Sequence, residues 1–378
     1  MQSKEAGRFR SGGRRALMTL ALSGLLTFGL APAAMAETAS VAAAQKVSTT
    51  SASKPASTQK KSSTSVKKKT TKKKTSTKSS AKKKKSTNHK AVAIKAKPSM
   101  GQALGLHSTR DALNLKSSVA LVADQETQEV LFGKNVEAVL PIASITKLMT
   151  ALVVLDAQQP MDEILTITSA DIDTEKGSHS RLAVGLEFSR EDLMLLALMS
   201  SENRAASALG RNYPGGRAAF IAAMNRKARA LGMNDSFFVD STGLSSRNVS
   251  SAVDLVRLVN ASYQSPVIRR FSTQTSHTVH AGKRVMEFVS SNRLVRYRDD
   301  WDIGLQKTGY ISEAGRCLVM QAKVHGRPVV MVFLDSVGTL TRFADAQRVR
   351  NWLEAQPKSS IASHGGGLIQ TSAQNSSM

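Results

Sequence analysis

Residues 301–335 read WDIGLQKTGYISEAGRCLVMQAKVHGRPVVMVFLD, and the period of this stretch decides the fold. Trp301 to Gly309, Arg316 to Val324 and Pro328 to Asp335 are apolar, β-branched runs separated by short Gly-containing turns, which predicts three consecutive strands. Far upstream, Val119 to Asp124 and Glu129 to Gly133, bridged by Gln125-Glu126-Thr127-Gln128, predict a β-hairpin. Between them the period is helical. Ser144 to Gln158 carries Ile145, Leu148, Met149, Leu152 and Val153 at core-helix spacing. Ser189 is placed to cap a helix running from Arg190 to Met199. Arg217 to Leu231 enters a second helix from the turn Pro214-Gly215-Gly216. Ser251-Ala252-Val253-Asp254 has the form of a capping box opening a helix to Tyr263, and Ala344 to Ala355 closes the run as a helix. Strands at both ends around a helical middle imply a mixed α/β domain whose two ends share one sheet.

Outside that domain the composition changes. The chain has 378 residues and 53 Lys+Arg against 28 Asp+Glu, a formal charge of +25. Residues 1–36 hold +4 of it and residues 37–100 hold +17, which leaves only +4 for the remainder. The high charge therefore describes an appendage. Residues 1–36 read as an export signal: a basic start ending at Arg14-Arg15, an apolar run from Ala16 to Ala31, and Ala34-Met35-Ala36 as a small-x-small cleavage pattern. The run is short of the ~20 residues a membrane span needs, and Ala16-Leu17-Met18 does not complete a twin-arginine motif. Export to the periplasm, with cleavage near Ala36 and a loose membrane or wall association, is the expectation.

Residues 37–106 are expected to be a disordered linker of Lys, Ser, Thr and Ala, with Lys67-Lys68-Lys69, Lys72-Lys73-Lys74 and Lys82 to Lys85 in blocks. Behind an export signal, such a tract suits anionic envelope polymers or lipid headgroups rather than nucleic acid. A solvated, self-repelling spacer is the other reading. The catalytic domain is expected over residues 107–356, with a disordered tail over 357–378. A single cysteine, Cys317, excludes an internal disulfide framework, and seven histidines without HExxH spacing exclude a zincin. No metal or cofactor is expected. His277 and His280 sit in what reads as a Ser/Thr-rich loop without carboxylates, and Cys317 reads as a small core residue.

Three short motifs carry the chemistry. Ser144-Ile145-Thr146-Lys147 puts a hydroxyl and an ammonium on one helical face, one turn apart. A desolvated lysine gives up its charge and can then accept the serine proton. The helix start adds unpaired N–H groups where an oxyanion would develop. Lys307-Thr308-Gly309 continues a row formed by Trp301, Ile303 and Leu305, so Lys307 is expected to look inward, at a cleft mouth or paired. Gly309 would let another backbone approach the strand edge. Ser201-Glu202-Asn203 competes with two further matches, Ser246-Arg247-Asn248 and Ser290-Ser291-Asn292; its place between two helices selects it.

The order SxxK, SxN, KTG resembles the signature of penicillin-binding proteins and serine β-lactamases. Residues 141–150 (PIASITKLMT), 198–205 (LMSSENRA) and 307–310 (KTGY) are similar to low-molecular-mass D,D-peptidases, and most of all to the type-7 endopeptidase group of that family. The likeness covers roughly residues 112–355. It implies a D,D-peptidase-like fold, an antiparallel sheet with a helical subdomain, and a D-alanyl-D-alanine endopeptidase acting on peptidoglycan cross-links. It further implies that Ser144 is acylated by substrate or by β-lactams, that Lys147 is its general base, and that Ser201 relays the proton to the leaving amine. Asn203 would hold the substrate amide, and Lys307 and Thr308, with Gly309 beside them, the carboxylate side. The N–H groups of Ser144 and Tyr310 would form the oxyanion hole. A D,D-carboxypeptidase is the first alternative. A class A β-lactamase would need a deacylating glutamate, and none lies between Glu202 and Glu287. A non-catalytic wall-binding protein is opposed by the intact motif set.

Overall fold

The computed structural model describes residues 97–297 and 300–356; the expected signal segment, nearly all of the Lys-rich tract and the tail lie outside them. In chain order the elements are α1 (Met100–Ala103), β1 (Ser117–Asp124), β2 (Val130–Lys134), β3 (Leu140–Pro141), α2 (Thr146–Asp156), β4 (Ile164–Thr166) and β5 (Glu187–Ser189). They continue with α3 (Arg190–Met199), α4 (Asn203–Arg211), α5 (Gly216–Ala230), β6 (Val249–Ser250), α6 (Ala252–Tyr263) and α7 (Pro266–Thr273). Last come β7 (Ser276–Ala281), β8 (Arg284–Val289), α8 (Arg293–Arg296), β9 (Asp302–Ile311), β10 (Gly315–Val324), β11 (Arg327–Ser336) and α9 (Thr341–Glu354).

The main sheet has the order β2-β1-β11-β10-β9, all pairs antiparallel. β1 lies against β11 from Ser117↔Ser336 to Asp124↔Val329, so the two ends of the domain do share one sheet. Side chains alternate between its faces. Val119, Leu121, Val319, Val332 and Leu334 face the helical layer, while Ala120, Val122, Leu318, Met320, Met331 and Phe333 face α9 through Phe343, Ala346, Val349 and Leu353. Both faces are covered, which is why β1 is buried along its whole length. Each fully buried Leu, Val or Phe contributes about 1.5–3 kcal/mol.

Ser189 caps α3 as expected, its Oγ accepting from Asp192 N at 3.0 Å. Ser251 caps α6 through Asp254 N, but the box is only half closed. The Asp254 carboxylate turns instead to Asp235 N at 2.8 Å and Ser236 Oγ at 2.9 Å, tying the preceding loop to the helix.

Four expectations are corrected. Ordered structure begins before residue 107: Ser99 caps α1 and donates from Oγ to the buried Asp335 carboxylate at 2.7 Å, and Met100 N reaches Glu313 O. His277 and His280 lie on β7 of a hairpin, not in a loop, and His277 Nε2 is 2.9 Å from Asp192 Oδ1. The hairpin buries little beyond Val279, Ala281 and Phe288, so its alternation is faint in the sequence. Ser144 lies in a 3-10 turn, Ala143–Ile145, that leads into α2. Finally, the row Trp301, Ile303, Leu305, Lys307 does not share one face. The register shifts between Leu305↔Gln321 and Ile303↔Ala322, so Gly304 is an extra residue that flips the alternation. Leu305 packs into the helical-side core, while Trp301 and Ile303 pack on the α9 side.

Candidate active site

Lys147 is fully buried on the first turn of α2, and its Nζ donates to Ser144 Oγ at 2.8 Å, Asn203 Oδ1 at 2.8 Å and Thr242 O at 2.6 Å. Burial pulls its pKa down from 10.5 to about 7, against the opposing pull of Asp240 and Glu202. A lysine so placed is a base near neutral pH.

Thr242 O is aimed by a loop that no motif or period marks in the sequence. The Asp240 carboxylate accepts from Thr242 N and Gly243 N at 2.6 Å each and from Ser245 N at 3.0 Å, an Asx turn wound about one side chain. Gly243 has φ +81°, and a Cβ there would stand 2.0 Å from Ala143 O and 2.9 Å from Ser144 N. Only glycine allows this contact. Asn248 locks the loop from behind, donating to Asp240 O at 2.9 Å and to Thr146 Oγ1 at 3.1 Å.

Ser201 stands in the turn between α3 and α4 with φ +66°. Lys307 Nζ donates to its Oγ at 2.9 Å and to Thr308 O at 2.9 Å. Lys307 is fully buried, and burial together with the Lys147 and Arg342 charges holds its pKa well below the usual lysine range. β9 is an edge strand, and Gly309 lets it press against the serine turn: a Cβ there would lie 2.9 Å from Ile142 O and 3.2 Å from Ser144 N. The expected close approach at Gly309 is present, and its partner is the turn that carries Ser144.

Asn203 opens α4, and its Nδ2 donates to Ser178 Oγ at 2.9 Å. The loop bearing Ser178 is tied down again by Ser180 Oγ, which donates to Glu202 Oε2 at 2.7 Å; burial raises the Glu202 pKa. Ser291, from one of the two competing SxN triplets, also reaches the site, with its Oγ 2.7 Å from Thr308 Oγ1. Arg342 of α9 completes the wall. Its Nη1 donates to Thr339 O at 3.0 Å, its buried Nε has no partner among the described residues, and burial lowers its pKa to about 10.

Ser144, Ser201, Asn203, Ser291, Thr308, Gly309, Tyr310 and Arg342 line one cavity of about 250 Å³. All the residues singled out in the three motifs therefore converge, although Lys307 is 106 positions from Ser201. Arg342 is the charged side chain in this lining and Lys307 stands behind it on Ser201, which suits an anionic ligand. Among the described residues no group of three His, Cys, Asp or Glu side chains could hold a metal ion. Cys317 is buried in the sheet core, its thiol pushed up to about 12 by burial.

Residues 106–338 match the peptidase S11 family, D-alanyl-D-alanine carboxypeptidase. A D-alanyl-D-alanine endopeptidase of Pseudomonas aeruginosa is 48% identical over 266 residues, spanning 70% of this chain and 84% of that protein. One from Escherichia coli is 47% identical over 249 residues, spanning 65% and 80%. Penicillin-binding protein D2 of Listeria monocytogenes, solved in its cefotaxime-bound form, superposes with a TM-score of 0.57 at 29% identity, covering 64% of this chain and 98% of that one.

Proposed function

The chain belongs to the D-alanyl-D-alanine carboxypeptidase family of serine peptidases, and from that premise we propose that it is a periplasmic D-alanyl-D-alanine endopeptidase that opens peptidoglycan cross-links through an acyl-enzyme on Ser144. The observation that carries this is the Lys147 Nζ–Ser144 Oγ contact of 2.8 Å with a lysine whose pKa is brought to about 7.

Ser144 Oγ attacks the D-Ala carbonyl carbon while its proton passes to Lys147 Nζ. The Ser144 and Tyr310 N–H groups receive the developing oxyanion. Collapse breaks the C–N bond, and the leaving amine takes its proton through Ser201, whose hydroxyl is held by Lys307. Water then attacks the ester and releases the enzyme. Asn203 orients the substrate amide. Lys307, Thr308 and Arg342 receive the carboxylate beside the scissile bond, and that anion restores the Lys307 charge.

Cleavage of the cross-link rather than of a terminal D-Ala rests on the two relatives named as endopeptidases. β-Lactams acylate Ser144. Residues 1–36 are the export signal, and the Lys-rich stretch up to the folded part tethers the enzyme to anionic envelope polymers. The test is digestion of purified cross-linked muropeptide dimers by the mature chain. Monomers are the expected product, and release of terminal D-Ala from uncross-linked pentapeptide alone would make it a carboxypeptidase instead.

A further inference from the structure

A second cavity, of about 320 Å³, opens at the other end of β9, between α6, α7 and the strands β9 and β10. None of its residues takes part in the reaction proposed above. Its floor is created by the Gly304 bulge: a Cβ on Gly304 would stand 2.2 Å from Gln321 Oε1 and 2.7 Å from Tyr263 Cε2. Gln321 is 1% exposed, and among the described residues neither Nε2 nor Oε1 of its carboxamide has a partner. A buried amide with both ends unpaired is unfavourable unless something fills the space it faces.

Cations surround it. The Arg269 guanidinium stacks over the Tyr263 ring at 4.9 Å. Arg270 is paired with Glu191 at 2.9 Å, whereas Lys323 has no ion pair among the described residues. Among the described residues Asp302 is the one carboxylate in the wall, opposite Lys323 in the β9–β10 register.

We propose that this cavity binds a carboxylate-bearing peptide. A peptide group offers one donor and one acceptor, which is what an unpaired carboxamide can satisfy at both ends. Arg269 and Lys323 remain for the carboxylate. An inorganic anion would leave Gln321 Oε1 without a donor and would face Asp302. Lys307 is three positions beyond Gly304, about 10 Å of extended strand, so the occupant lies along the strand that also serves the reaction site. Occupancy does not depend on the chemistry proposed for Ser144.

The test is an NMR titration of the ¹⁵N-labelled mature chain carrying Ser144→Ala. The probe is N-acetyl-glutamic acid α-amide, followed at the Gln321 side-chain NH₂ and the Gly304 amide. Saturable shifts of both signals are expected, with affinity falling at least about tenfold for the neutral N-acetyl-glutamine α-amide and for the double variant Arg269→Gln, Lys323→Gln. Gln321→Leu, in a chain retaining Ser144, should abolish binding while penicillin acylation shows that the fold is intact. Shifts that do not saturate, equal binding of the neutral peptide or of inorganic phosphate, or indifference to the double variant would each overturn the proposal.

Discussion

Lys307 Nζ donates to Ser201 Oγ at 2.9 Å, an inter-element hydrogen bond between an edge strand and the turn between two helices. It joins the KTG and SxN motifs by a hydrogen bond, and the proposed proton path through Ser201 depends on that link. Replacing Lys307 with Gln keeps a donor but removes the charge. The expected result is a fall in kcat/KM on a D-Ala-D-Ala peptide of about 100-fold, larger than for Ser291→Ala, whose side chain hydrogen-bonds Thr308 and not Ser201. Steady-state kinetics of the two variants side by side measure this.

The pH dependence follows from Lys147. With its pKa near 7 in the folded chain, the rate of acylation by penicillin should rise with pH through about 7 and level off above it. Lys147→Arg, which stays charged, should remove most of the activity at every pH. The same shift acts on stability. The unfolded chain protonates this lysine below about 10.5 and the folded chain only below about 7, so its burial weighs against folding progressively as pH falls between those values and no further beneath them. Urea unfolding of the wild type and Lys147→Met across that window should show the wild type losing relative stability toward neutral pH.

Gly243 is the glycine packed most tightly against the turn that carries Ser144. Gly243→Ala sets a Cβ against Ala143 O at a left-handed φ, a strain of about 1–3 kcal/mol. Acylation should fall by more than tenfold with a lowered Tm. Gly309→Ala, whose Cβ meets Ser144 N at 3.2 Å, should slow acylation with a smaller loss of Tm.

Arg342 lines the cavity with Thr308, its buried Nε unpaired among the described residues, and the proposed reaction gives it the substrate carboxylate. Arg342→Gln should raise KM about tenfold or more for a peptide with a free C-terminal carboxylate. The amidated peptide should be nearly unaffected, and comparing the two substrates separates charge recognition from a general disturbance.

Much of this arrangement is readable from side-chain patterns, because the sheet and the helices around Ser144 rest on strong periodicities and on caps such as Ser189. Lys307 illustrates both reach and limit. Its inward aspect follows from alternation, but the flip at Gly304 does not, since a bulge leaves the apolar pattern intact on either side of one glycine. Asp240 and Gly243 are unmarked in the sequence because an Asx turn has no period; only the short run Asp240-Ser241-Thr242-Gly243 hints at it. Arg342 is hidden for a different reason. The last helix begins at Thr341 rather than Ala344, after a Leu340 cap with no side-chain hydrogen bond, so nothing in the composition marks the start.

The most direct measurement is the identity of the residue that reacts. The mature chain, incubated with a fluorescent penicillin, denatured and digested, should yield one labelled peptide with the adduct on Ser144, persistent over the time of purification and absent from Ser144→Ala. An adduct on any other residue, no adduct, or rapid turnover of the penicillin would contradict the account.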